Sequence, residues 1–362
     1  MKASVTFEPD WVCAPGETIR NILHERRITE RQLAEKLGDS RSRVTGLIEG
    51  REAITADLAH KLEIALGGSA AFWLAREKRY RDGLQFLGHA AADKSTIQWL
   101  EALPLKDMVR LGWISGTGNV EEATVACLRF FGVRDVNGWK ESYKDILKSA
   151  VFRTSAEYES KPGAVATWLR RGEQESTAIV CQSWDLKKFR AALDDARALT
   201  REPDPAVFLP RLRALFASCG VAVVALRAPA GCRASGAARF IAPEKALMLL
   251  SFRYLSDDQF WFSVFHEAGH LVLHHDKVMV DAPGMPSNKE EHEANAFAAE
   301  ALIPARYKAQ MLALPVDGRA VMRFARRIGV APGVVVGQMQ YLRQFSHRQL
   351  NNLKRRYKWV QD

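Results

Sequence analysis

Over the first eighty residues, apolar positions recur every three to four residues, and the residues between the runs mark where short helices start and stop. Residues 16–26 carry Ile19, Ile22 and Leu23 at helical spacing. Thr29 followed by Gln32 is a capping box that opens a helix over 30–37, and Gly38 with Asp39 makes a tight turn. Ser40 caps a third helix, 40–49, that turns Val44, Leu47 and Ile48 inward and is ended by Gly50. Thr55 caps a fourth helix to Leu66, which Gly67 and Gly68 stop. Residues 80–175 keep helical spacing, notably over 97–103, 120–131 and 164–171, without naming any chemistry. From Thr177 the period changes. Residues 178–181 look like a strand, and helices over 185–199 and 205–219 follow. Three β-rich runs come next, at 221–226, 237–241 and 246–252. A helix then begins at Ser256, with Gln259 three residues on as a second capping box, and reaches about His275. A loop with Pro283, Gly284 and Pro286 leads to a last clear helix, 289–302, stopped before Pro304.

The pattern predicts an α+β, multidomain chain: an all-α domain over 1–80, a helical linking domain over 81–175, and a mixed domain over 176–362. A length of 362 residues with 47% hydrophobic residues suits two or three domains with sizeable cores. There is no run of 18 apolar residues, so no membrane span is expected. Residues 1–10 lack the apolar stretch of a signal peptide, which leads us to expect a cytoplasmic protein. Cys13, Cys127, Cys181, Cys219 and Cys232 are scattered and form no C-x-x-C pair. That favours free thiols over a disulfide framework.

Charge adds an asymmetry. The chain carries a net +10. Residues 1–80 are nearly neutral, whereas residues 301–362 hold twelve basic against two acidic residues. Such a tail is a solvated face or a nucleic-acid footprint. Within it, residues 324–332 have the look of a second helix-turn-helix.

The strongest chemical signal is His266-Glu267-Ala268-Gly269-His270. Residues four apart share a helix face, so His266 and His270 can direct their imidazoles at one Zn²⁺ ion while Glu267 stands beside them as a base. A catalytic zinc needs a third protein ligand, and the next helix offers Glu291, with Asn295 four residues on as support for a ligand. Glu290 and Glu293 lie on other faces and read as solvated. His274 shares the face of His270 and reads as lying outside the ligand set. Arg253 and Tyr254 are candidate partners for a developing oxyanion. Cys232 could in principle reach an open metal position as a thiolate.

Two resemblances follow from these residues. Segments 262–275 (FSVFHEAGHLVLHH) and 291–304 (EHEANAFAAEALIP), with the preceding SGAARF and LLSFRY, resemble the ImmA/IrrE family of zinc peptidases over roughly residues 175–345. The resemblance implies a small zincin fold, with His266, His270 and Glu291 as zinc ligands and Glu267 as catalytic base. Several members of that family cleave a helix-turn-helix repressor. Residues 14–66 resemble HigA-like, Xre-type helix-turn-helix regulators, which implies a recognition helix over 40–49. Arg41, Ser42, Arg43 and Thr45 would then face the major groove, with Ser40 and Gln32 near the backbone. The near-neutral charge of 1–80 points to a homodimer on a palindromic operator. The expectation is a DNA-binding repressor whose zinc peptidase relieves repression by cutting itself or a partner repressor or toxin. The alternative is a HigA-like antitoxin that autoregulates its operon and neutralises a toxin, with a dormant or structural metal site.

Overall fold

The computed structural model describes residues 15–48, 50, 52–89, 94–116, 118–144, 160–274, 279–281 and 289–359. The chain divides into two compact units, residues 1–144 and 145–362. The sequence pattern predicts three domains, with a linking domain between the outer two. Helices over 94–142 belong to the first unit, and the helix Pro162–Thr177 belongs to the second.

The first unit is all helical. Its helices are Pro15–Glu25 (α1), Glu30–Leu37 (α2), Arg41–Ile48 (α3), Ala56–Leu66 (α4), Ala70–His89 (α5), Lys94–Ala102 (α6), Leu105–Arg110 (α7), Val120–Phe131 (α8) and Val136–Ser142 (α9). The Thr29–Gln32 capping box forms as the sequence predicts, and Gly38 ends α2 in the left-handed conformation (φ 64°). The apolar stripes of α1–α4 meet in one core around Ile19, Leu33, Val44, Leu58 and Leu62, and Trp73 of α5 closes it. Farther along, Trp99, Phe131, Trp139 and Tyr143 form an aromatic cluster with edge-on and tilted contacts.

The second unit is α+β. In chain order it runs Pro162–Thr177 (α10), Leu186–Leu199 (α11), Pro205–Ala217 (α12), Val221–Ala225 (β1), Gly236–Ala242 (β2), Lys245–Leu250 (β3), Asp257–Leu273 (α13), Met279–Asp281 (β4), Lys289–Leu302 (α14), Ala305–Leu312 (α15), Gly318–Ile328 (α16) and Pro332–Tyr341 (α17). The sheet order is β1-β3-β2-β4. β1 pairs parallel with β3, from Val221↔Ala246 to Ala225↔Leu250. β2 pairs antiparallel with β3 and with β4, so Gly236 lies opposite both Leu250 and Asp281. β1 and β3 read as unbroken apolar runs because both of their faces are covered. Leu249 meets α10 at Gly172, while Met248 and Leu250 point to the opposite face. The Trp168 indole of α10 donates to the Leu226 carbonyl at 3.0 Å, and Arg239 pairs with Glu173 at 2.6 Å. These contacts make α10 a cover for the sheet.

Residues 178–181 do not form the expected strand. Their neighbours' backbone bonds go to other partners, Gln182 N–H to the Ala217 carbonyl and Trp184 N–H to that of Glu244, and Val180 is 82% exposed. α13 is buried along almost its whole length, in one apolar cluster with Phe208, Phe216, Val321, Phe324 and Val335 among others. A helix buried on all sides normally carries only apolar residues. This one carries His266, Glu267 and His270 at its centre, at 2%, 0% and 1% exposure.

Candidate metal centre

The N-terminus of α13 is anchored differently from the sequence expectation. Ser256 occupies the N-cap, but its hydroxyl makes no cap bond and donates instead to Asp258 Oδ1 at 2.7 Å. Asp257 and Asp258 are both buried in the first turn, where the helix dipole favours negative charge. The basic tail returns to meet them. Lys354 Nζ lies 2.6 Å from Asp258 Oδ2, and the Arg355 N–H donates to Asp257 Oδ1 at 3.1 Å. Burial, reinforced by the charge of Asp258, pushes the Asp257 carboxyl up to about 6. Part of the tail's excess charge is therefore structural. The outer face of α16 keeps Arg319, Arg323, Arg326 and Arg327 exposed, while its inner residues belong to the main core of the unit. The helix-turn-helix outline read over 324–332 is thus a piece of this fold.

Three turns into α13, the two histidines face one point, with Nε2 atoms 3.0 Å apart. Gly269, between them in the motif, lets α14 approach closely: a Cβ there would stand 3.2 Å from Ala294 Cα. The approach brings in Glu291, whose Oε2 is 3.2 Å from His266 Nε2 and whose Oε1 is 3.4 Å from His270 Nε2. Two ligands on a tetrahedral zinc are separated by roughly 3.3 Å, given metal–nitrogen distances of about 2.0–2.1 Å. Among the described residues these three form the group able to hold a metal ion. Burial tends to raise the Glu291 carboxyl, but hydrogen bonds with His266 and His270 prevail and hold it down at about 2. Burial also lowers His270, which keeps it neutral, as a metal ligand must be.

Each ring also has a partner at its other nitrogen. His266 Nδ1 lies 3.1 Å from Asn295 Oδ1, an acceptor that suits a proton on Nδ1 when Nε2 is given to a metal. Asn295 thus supports a ligand, as the sequence predicts. His270 Nδ1 lies 3.3 Å from His274 Nδ1, and His274 Nε2 lies 2.8 Å from Glu293 Oε2. The carboxylate can only accept, so His274 carries its proton on Nε2 and accepts from His270 Nδ1. With that tautomer in both rings the Nε2 atoms would be free to bind a metal beside the Glu291 carboxylate, and two neutral imidazoles with one carboxylate suit zinc.

Glu293 differs from its sequence reading. It is half-exposed, yet it engages His274, and that hydrogen bond holds its carboxyl below the ordinary value. The signal for it was available: 266, 270 and 274 form one ladder on the helix face, opposite an acidic first turn of α14. Glu290 is half-buried. Glu267 lies wholly buried against the backbone at the start of β2, where a Cβ on Gly236 would meet its Oε1 at 2.2 Å. Cys232 is not among the converging donors, and burial pushes its thiol up to about 12, far from a thiolate. The Arg253 guanidinium donates to the Arg233 carbonyl at 2.5 Å and stacks on the Tyr254 ring. With Gln259 and Ser263, two turns and one turn before Glu267 on its helix face, these residues line a small cleft of about 10 Å³, the space of a single water. The loop behind it holds two non-glycine residues in the left-handed region, Phe252 (φ 53°) and Leu255 (φ 51°).

Residues 222–337 match the family model Peptidase M78, described as an IrrE N-terminal-like domain. The match spans β1 to α17 and takes in every residue of the site, including His274 and Glu293. It supports a regulatory metallopeptidase of the IrrE/ImmA type in the second unit. No curated protein matches the chain.

In the first unit α1–α4 are compatible with a helix-turn-helix. Arg41, Ser42 and Arg43 are exposed at the start of α3. Ser40 Oγ accepts from the Arg43 N–H at 3.2 Å, and Arg43 pairs with Asp39 at 2.9 Å. Thr45 is half-buried and donates to Glu30 Oε2 at 3.1 Å, tying α3 to α2. Gln32 Oε1 accepts from the Thr29 N–H at 2.8 Å, completing the capping box. The C-terminal end of the expected recognition helix, Glu49, and Cys13 lie outside the described residues.

Proposed function

We propose that the protein is a DNA-binding repressor carrying a zinc metallopeptidase that relieves repression by cutting this chain or a partner protein. The observation that carries the enzymatic half is the buried convergence of His266, His270 and Glu291, with a polar partner at the far nitrogen of each histidine. A zinc ion bound by these three residues would supply Lewis-acid activation of a water and of a peptide carbonyl. Glu267 accepts the proton of the attacking water and hands it to the leaving amine. Its burial against Gly236 keeps the carboxylate oriented and shielded from bulk solvent. Asn295 holds the His266 ring in register.

The DNA-binding half rests on the first unit. Arg41 and Ser42 at the start of α3 are the base-reading candidates, Gln32 is a phosphate contact, and two copies of the chain pair on a palindromic operator. Arg43 must leave Asp39 to reach DNA, which makes it the weaker reader.

The test is a comparison of the chain with its Glu267→Gln and Arg41→Ala variants in cells carrying the operator fused to a reporter. Arg41→Ala should derepress constitutively, by about 1–3 kcal/mol of lost operator affinity if it reads a base. Glu267→Gln should bind the operator normally and remain repressing under conditions that release the parent. If Glu267→Gln regulates like the parent and still rescues cells from a co-encoded toxin, the chain is an antitoxin with a dormant metal site and the proposal fails.

A further inference from the structure

The two imidazoles of the metal centre are supported unequally. His266 Nδ1 faces a neutral amide, Asn295, at 3.1 Å. His270 Nδ1 faces a second imidazole at 3.3 Å, which itself reaches a carboxylate at 2.8 Å. His274 sits one residue past the end of α13, with φ −133° and ψ 43°, and its N–H bonds to the His270 carbonyl at 2.8 Å. The departure from helical backbone lets its ring bridge back to the His270 ring and outward to Glu293 at once. Both nitrogens of His274 are used in this way, so it is not itself turned to the metal. His274 is largely buried, with 8% of its side chain exposed, whereas Glu293 is 42% exposed. The other Glu293 oxygen faces Lys289 Nζ at 3.5 Å.

Resting on the metallopeptidase reading above, we propose that His274 and Glu293 form an outer relay that makes His270 a competent metal ligand. Glu293 requires the His274 proton on Nε2. That leaves Nδ1 to accept, which requires the His270 proton on Nδ1 and frees its Nε2 lone pair for the metal. Without the relay the buried His270 Nδ1–H loses its acceptor, and the tautomer with the proton on Nε2, which cannot bind a metal, becomes favoured. His274 and Glu293 are positioning residues in this scheme. Neither touches the metal or a substrate.

The test is zinc affinity of the full chain, measured by competition with a chromophoric chelator, together with the visible spectrum of the Co²⁺-loaded protein. His274→Ala should weaken zinc about 10- to 100-fold, the usual effect of removing such a partner. Glu293→Gln should weaken it about 10-fold while leaving thermal unfolding of the metal-free protein unchanged, since its side chain is half in solvent. The double variant should bind zinc no more weakly than His274→Ala alone, within about twofold, because Glu293 acts only through His274. The Co²⁺ bands should keep tetrahedral intensity in Glu293→Gln. If the parent binds zinc and both single variants bind within twofold of it, the relay is refuted and the metal site stands. If the parent binds no zinc, the metal site falls and the relay with it. Should His274→Ala fail to fold, Glu293→Gln decides alone.

Discussion

The contact between Glu267 and Gly236 can be tested without any knowledge of the substrate. A Cβ added at Gly236 would stand 2.2 Å from Glu267 Oε1 and 2.7 Å from its Cδ and Cγ. Carbon–oxygen contacts settle near 3.5 Å, so the side chain must retreat by about 1 Å. The end of a flexible glutamate on the surface would retreat freely, but Glu267 is 0% exposed. Overpacking of this kind costs about 1–3 kcal/mol. Gly236 is not among the glycines with positive φ, so its backbone accepts alanine. With the obstacle removed by Glu267→Ala, the Gly236→Ala change should therefore stabilise by about 0.4–1 kcal/mol through the unfolded chain. The two substitutions should thus be coupled by roughly 2–3 kcal/mol, within the range for residues in contact. The assay is a double-mutant cycle on the full chain, read from amide hydrogen exchange along residues 257–273 so that the second unit is followed by itself. In a unit of this size the single variant should lower the melting temperature by about 2–4 °C per kcal/mol. Equal cost of Gly236→Ala in both backgrounds would refute the contact and with it the fixed position of Glu267.

Two further outcomes follow from the anchoring of α13. Asp257 has a folded value of about 6 against an ordinary value near 3.9, so the fold favours the protonated acid. Its ionisation penalty is absent below about pH 4 and complete above about pH 6, so its contribution to stability falls by about 3 kcal/mol as pH rises through that window. Asp257→Asn should flatten this dependence and be the more stable protein above pH 6, as measured by urea unfolding from pH 4 to 8. Lys354→Met should cost about 3–5 kcal/mol in the same measurement, because it strands the Asp258 carboxylate at 4% exposure. That cost should shrink when Asp258→Asn is combined with it.

Much of the local structure was legible because it depends on neighbours within one or two turns. The Thr29–Gln32 box, the stop at Gly38, the shared face of His266 and His270, and the span of α14 all follow from spacing alone. The strand expected at 178–181 failed because four apolar residues cannot declare whether a sheet edge is available to them. The box expected at Ser256 failed for a similar reason. Its hydroxyl is turned to the buried Asp258 carboxylate, which Lys354, nearly a hundred residues on, also meets. The tail's charge excess could not be divided by inspection into Lys354 and Arg355, which fold inward, and the α16 arginines, which do not.

The metal centre shows where that boundary lies. The sequence by itself determined the identity and face of two ligands, because a helix repeats every 3.6 residues whatever surrounds it. It offered several carboxylates on the next helix without fixing what each would touch. Only the packing of α14 across Gly269 put Glu291 against both imidazoles, Asn295 behind His266, and Glu293 behind His274. Those three assignments rest on the distance and rotation between two helices, which no spacing along either helix records.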